Sequence, residues 1–299
     1  MLTVTEQPSA EGFIDCDQDE LRERFNRSSF EFAHHLSGHP LFQIPRLIAL
    51  AQYLDPRGSV YYDAGDIRVD QRWDHSPSGK WPVAETIRRI REAGAWIILR
   101  SAEQDPEYGA LLNECMAEIQ RRLGRDLTKE MKVQDAIIFI TSPRRVTAYH
   151  IDRECNFILQ IQGEKDISVF DQTDREVLTD EEIERFWMVD NNSAIYKEQF
   201  QSRARVYHMA AGKAIHVPVN APHWVKNGDD ISVTLSVNFQ FRENFPAHVY
   251  RANYLLRKLG VSPIPPGKSK MRDTLKMLAM NITYVPARAA LRASRKLGL

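Results

Sequence analysis

The sequence predicts a mainly β core with helices before and after it, and three observations carry that expectation. From residue 132 the chain breaks into short, β-branched and apolar runs separated by turn signals, the pattern of a sandwich or barrel. Before about residue 125, apolar residues recur mostly at helical spacing, with a few short apolar runs between them. After Pro246 the helical pattern returns. The predicted organisation is an N-terminal α/β segment over 1–131 that packs on the core, a core over 132–241 and a basic helical region over 242–299.

In chain order, residues 1–20 are polar and acidic and are expected to be frayed. Residues 21–53 read as helical, interrupted near Gly38 and Pro40, with Leu47, Ile48, Leu50 and Ala51 on one face. A short strand follows over 59–62, then a loop over 65–69. Residues 81–93 read as a helix that Gly94 stops. Residues 95–99 form a continuous apolar strand. Asp105-Pro106 is a helix start, a capping carboxylate followed by proline at the first helical position, and Leu111, Leu112, Cys115, Met116 and Ile119 carry that helix to Gly124. Strands are then expected over 136–140, 146–151, 156–162, 165–170, 205–210, 214–217, 223–226 and 232–241. One helix, 180–187, interrupts them, and its acidic residues read as a solvated face. Pro263 to Pro266 breaks the C-terminal helices.

Composition bounds the function. The 299 residues are 43% hydrophobic and 27% charged, ordinary for a globular chain. Net charge is zero but uneven. Eleven Lys/Arg against the lone Asp273 make residues 251–299 +10, which leaves residues 1–250 at −10. The acidic body argues against a main domain that grips nucleic acid. Cys16, Cys115 and Cys155 lack CxxC spacing and cannot all pair, which points to a reducing, cytoplasmic setting. Neither a secretory leader nor an apolar run approaching 18 residues is seen, so no membrane span is expected.

The chemistry centres on Thr147-Ala148-Tyr149-His150-Ile151-Asp152. On a strand, positions i and i+2 share a face, so His150 and Asp152 project together and can share one metal ion. A third ligand must come from elsewhere, and His223 in Ala221-Pro222-His223-Trp224 is the candidate; His216, seven residues earlier, and His208 are its rivals. Two histidines and one carboxylate on one side of a metal leave positions open, the facial triad of non-haem Fe(II) oxygenases. Gly163 sits where a tight hairpin turn wants it, so that Lys165 opens the next strand. A buried lysine there needs an anion.

These residues resemble a family. The stretch 147–165, with Asn156-Phe157, Gln160-Ile161 and Gly163, and then His223-Trp224 and Val237-Asn238-Phe239, is similar to the JmjC-type and cupin-like Fe(II)/2-oxoglutarate-dependent oxygenases, among them asparaginyl hydroxylases. HxD alone is weak. HxD with Thr three residues before the His, Lys fifteen after it, a distal His, and Asn fifteen beyond that is far more specific. The resemblance spans roughly 137–241 and implies a double-stranded β-helix, or jelly roll. It implies Fe(II) held by His150, Asp152 and His223, and 2-oxoglutarate as co-substrate with Thr147 and Lys165 on its distal carboxylate. Asn156 and Asn238 match asparagines near the metal and co-substrate. The implied activity is hydroxylation of a C–H bond in a protein side chain or a small metabolite. Tyr149 and the whole 171–203 insertion depart from the asparaginyl hydroxylases, so the substrate does not transfer.

Plainer readings stand beside these. His150 alone would more often be a hydrogen-bonded core histidine, and Lys165 a solvated edge lysine. A cupin fold that binds metal without catalysis is the rival to an enzyme. His34, His35, His39, His75 and His248 read as surface or structural, and Trp224 and Phe239 as pocket wall. The basic tail 268–299, with Leu275, Met277, Leu278, Ile282 and Leu291 near helical spacing, is expected to dock on its own domain or across a homodimer, as C-terminal helices do in similar hydroxylases.

Overall fold

The computed structural model describes residues 12–73, 79–241 and 245–296, and the backbone alone for 132–134, 245–246 and 285–296. His75 and the side chain of Leu291 therefore lie outside the described residues. The chain folds into two compact units, Met1–Gln172 with Tyr196–Phe241, and Thr173–Ile195 with Arg242–Leu299.

The first unit is a jelly roll. Its strands are β1 (Ile14–Asp15), β2 (Phe30–His34), β3 (Val60–Ala64), β4 (Ala95–Leu99), β5 (Met131–Thr141), β6 (Val146–His150), β7 (Cys155–Gln162), β8 (Lys165–Val169), β9 (Arg205–Met209), β10 (Lys213–Val217), β11 (His223–Asn227) and β12 (Ser232–Phe241). They form an eight-stranded sheet in the order β1-β2-β10-β7-β12-β5-β4-β3 and a four-stranded sheet in the order β6-β11-β8-β9, all antiparallel. Helices α1 (Gln18–Arg24), α2 (Ile44–Leu54), α3 (Val83–Arg88), α4 (Pro106–Leu123) and the single turn α5 (Leu127–Glu130) belong to the same unit.

Two apolar layers result from strand alternation. One face of the large sheet joins helix residues such as Leu21, Leu47, Leu50 and Ile119 in the main core, with Phe157, Leu159, Val233, Leu235 and Phe239. The other face supplies Ile158, Ile215 and Val217, which meet Ile167, Val169, Tyr207 and Met209 of the small sheet. Strands of the large sheet buried on both sides read as continuous apolar runs, and this is why they show no alternation in the sequence.

Local chemistry explains the boundaries. Asp105 caps α4 by accepting from the Glu107 amide, and Gly124 closes it at φ 66°. Gly163 turns the β7–β8 hairpin at φ 76°; a Cβ there would sit 2.1 Å from the Ile231 carbonyl oxygen, so glycine is required.

Three expectations are corrected. Residues 30–34 are a strand, β2, rather than helix: Phe30, Phe32 and His34 are buried while Glu31 and Ala33 are exposed, the period of two that a sheet imposes. Within the 1–20 stretch expected to be frayed, residues 14–15 form β1 and 18–20 begin α1, because Ile14 and the following Leu21 are buried in the core, while 1–11 lie outside the described residues. The acidic face of the 180–187 helix is not simply solvated, as the second unit shows.

That unit holds α6 (Asp180–Met188), α7 (Phe245–Lys258) and α8 (Lys270–Lys296). Thr179 and Glu182 form a reciprocal capping box at the start of α6. Glu184 is 1% exposed and accepts from Arg257 on α7 at 2.8 and 3.0 Å. Met280 and Asp273 of α8 are buried, and Lys276 donates to Asn253 on α7, whereas Met271, Leu275, Leu278 and Ile282 are exposed. Among the described residues no helix is long and apolar enough to cross a membrane.

Candidate metal centre

The small sheet builds the centre. His223 opens β11 and lies directly across from His150 at the end of β6. Directly opposed residues of an antiparallel pair share a face, so both imidazoles point between the two sheets, with ring centroids 4.2 Å apart. Asp152, two residues on, places its Oδ1 3.9 Å from His150 Nε2 and its Oδ2 3.7 Å from His223 Nε2. One ligating atom from each of the three lies within 4.8 Å of the others, and no other group of three or more possible ligands is found among the described residues.

The ring orientations suit a metal. His150 Nδ1 lies 2.7 Å from the Ala148 carbonyl and His223 Nδ1 3.0 Å from the Ala221 carbonyl. A carbonyl can only accept, so each Nδ1 carries the proton and each Nε2 presents its lone pair to the common centre. Burial, then the neighbouring His150, holds the His223 imidazole down to about 4, which keeps it in the neutral form a metal needs. Asn156 donates to Asp152 Oδ2 at 2.8 Å and fixes the carboxylate. The donor set is therefore that of a divalent transition metal with open positions.

Thr147 reaches the same face by an irregularity. Val225 pairs with Thr147 and His223 with His150, so β6 spends one residue more than β11 between them. This β-bulge turns both Thr147 and His150 inward although they are three apart. Without it, alternation would separate them.

Lys165 lies on the inner face of β8, four residues before Val169, the strand partner of His223. It is buried, and its ammonium donates to Thr234 Oγ1 at 2.6 Å, while that hydroxyl donates to Gln160 Oε1 at 2.9 Å. Among the described residues no carboxylate pairs with it, and burial pulls its pKa down from 10.5 to about 7. Asn238 is paired across the sheet with Asn156, on the face that also carries Thr234 and Gln160, and accepts from the Ser236 hydroxyl.

The rival histidines are elsewhere. His216 pairs with Phe157, so it points away from the inner face occupied by Ile215 and Val217. It is fully buried among Phe25, Phe30 and Phe157, accepts the Asn26 amide at 2.8 Å, and is held by burial at about 3. His208 is exposed and bonded to Asp166. Phe239 is core rather than pocket wall, stacked with Phe25 and Phe157. Trp224 lies on the opposite face of β11 from His223, its Nε1 donating to Gln201, which also contacts Ser168 and Tyr196.

Gln160 stands in the sequence motif without a role, and Thr234 and Gln201 are not singled out by sequence reasoning. The first two carried a signal, since Gln160 follows Asn156 and Thr234 precedes Asn238 at the same even spacing of four. Gln201 carried none, because its role arises only from the packing of 198–203 on the small sheet.

Comparison with known proteins agrees with this architecture. Residues 80–246, more than half of the chain, match the cupin-like domain family. The chain belongs to that family. Among solved structures, E. coli ycfD is 14% identical with a TM-score of 0.52, covering 91% of this chain and 68% of that one. YcfD, a ribosomal oxygenase from E. coli in complex with cobalt and 2-oxoglutarate, is 15% identical with a TM-score of 0.44, over 89% of this chain and 66% of that one. A Pseudomonas putida prolyl-4-hydroxylase is 12% identical with a TM-score of 0.40, over 75% and 99%. The first of these likenesses bears on the fold alone. No curated protein sequence matches.

Proposed function

We propose that this cupin-like protein is an Fe(II)- and 2-oxoglutarate-dependent dioxygenase that hydroxylates a C–H bond of a protein side chain or a small metabolite. One observation carries the reading: a buried lysine with no carboxylate partner among the described residues shares an inner face with an open two-histidine, one-carboxylate cluster. A cation so placed is costly unless an anion meets it. Four residues of β8, about 13 Å, separate it from the histidine row. The lysine stem and a five-carbon dicarboxylate together span that distance.

Bound iron would supply oxygen activation coupled to decarboxylation of 2-oxoglutarate to succinate. The chain's own residues do the rest. His150, Asp152 and His223 hold the metal, with the Ala148 and Ala221 carbonyls and Asn156 fixing their orientation. Lys165, with Thr234 beside it and Thr147 on the same face, receives the distal carboxylate. Ile158, Ile167, Val169, Ile215 and Val217 line the space between the sheets and keep water from it. Asp152 is 30% exposed and His150 22%, so the site opens to solvent on the side where a substrate must enter. The test is succinate formation from 2-oxoglutarate by the iron-loaded chain.

The same reading extends to the tail. We infer that the exposed Met271, Leu275, Leu278 and Ile282 face of α8 is covered by a second copy, because a +10 tail and a −10 remainder are complementary between two copies.

A further inference from the structure

Strand register places one cation on the row of the metal ligands. Arg205 opens β9 and pairs with Val169; Val169 pairs with His223; His223 pairs with His150. Directly paired residues share a face, so Arg205 lies on the inner face, two strands and about 10 Å from His223. Its neighbours on that face, Tyr207 and Met209, are buried, whereas Arg205 is exposed at the strand end, its guanidinium 5.0 Å from the Tyr207 ring centroid. Among the described residues no carboxylate pairs with Arg205.

The surroundings reinforce the charge. A groove at this rim is lined by Arg24, Ser28, Ser29, Asp171, Arg203 and Arg205, among others. Arg24 is ion-paired with Glu20 and bonded to Ser28 and the Ser29 carbonyl, so its charge is largely offset and the net positive charge comes from Arg203 and Arg205. Asp171 offsets part of it. The result is a cationic rim on a body whose first 250 residues carry −10. Such a local reversal concentrates anions at this groove and repels cations.

We propose that the substrate carries an oxyanion, a phosphate or a carboxylate, bound by Arg205, which lies two strands from the metal-ligand candidate His223. The planar guanidinium matches either group bidentately. This rests on the oxygenase reading for its meaning as a substrate contact, but the anion site itself is measured separately.

The test titrates two probes into the full-length chain without metal or 2-oxoglutarate. Inorganic pyrophosphate represents a phosphate-bearing metabolite, and a hexaglutamate peptide represents a protein carboxylate. At least one should bind saturably, more weakly as salt is raised. Arg205→Ala should weaken it at least tenfold, Arg205→Lys less, and Lys165→Ala should leave it intact. Whichever probe obeys that pattern names the source of the oxyanion. The inference is overturned if neither probe binds, if binding survives in the Arg203→Ala/Arg205→Ala double variant, or if Lys165→Ala abolishes it, which would put the anion in the co-substrate pocket. Absence of succinate formation by the wild-type chain would instead overturn the oxygenase reading while the anion measurement stood.

Discussion

At the scale of single residues, His216 and His223 differ by strand parity. His223 shares its face with His150, whereas His216 sits in an aromatic cluster. His223→Ala, like His150→Ala and Asp152→Ala, should therefore abolish metal binding measured by elemental analysis and leave the melting temperature little changed. His216→Ala should do the reverse: metal is retained, and losing the acceptor of the half-buried Asn26 amide costs about 1 kcal/mol before any packing loss. Retained metal in His223→Ala would reassign the third ligand. Lys165 has a pH signature. Its folded pKa of about 7 lies below the ordinary 10.5, so between those values the unfolded chain holds more protons. Stability of the co-substrate-free protein should rise with pH across that window, the penalty being full below about 7. An anion meeting the ammonium favours the charged form, so 2-oxoglutarate affinity should weaken as pH rises through about 7 and binding should take up a proton. Calorimetry in buffers of different ionisation enthalpy reads that uptake. Equal enthalpies in all of them at pH 8 would exclude Lys165 as the anchor.

At the scale of elements, the β7–β8 hairpin sets where Lys165 emerges. Gly163→Ala forces a side chain into positive φ against the Ile231 carbonyl, and it should cost about 1–3 kcal/mol in denaturant unfolding. An unchanged midpoint would mean the hairpin relaxes freely. Much of this level was legible in the sequence. The strands from Met131 onward appear near their expected positions, because short apolar runs are punctuated by turn residues. What was not legible has physical reasons. In β2, Phe30, Phe32 and His34 do alternate with Glu31 and Ala33, but a run of five embedded among helix-forming residues was outweighed by its neighbours. The inward turn of Thr147 depends on a bulge, and an extra residue in one strand is visible only once the partner strand is known. The residue pattern alone did not separate His216 from His223, and only the resemblance favoured His223, for a related reason. Strand β10 is buried on both faces, so no polar alternation marks which side faces the site. Glu184 reads as a surface charge until Arg257, 73 residues away, is placed beside it.

At the scale of the molecule, the tail and the centre make separate claims. Deleting residues 268–299 should lower the oligomeric mass by light scattering, since it removes the α8 face that a second copy would cover. An unchanged mass would show that another surface or partner covers it. The central claim concerns the inner face of the jelly roll, and anaerobic titration with Fe(II) and 2-oxoglutarate followed by admission of oxygen tests it most directly. The account predicts one saturable iron site, 2-oxoglutarate binding that requires Lys165, and slow succinate formation without added substrate, all lost in Asp152→Ala. Iron binding with neither 2-oxoglutarate binding nor succinate formation would contradict it and leave a metal-binding cupin without catalysis.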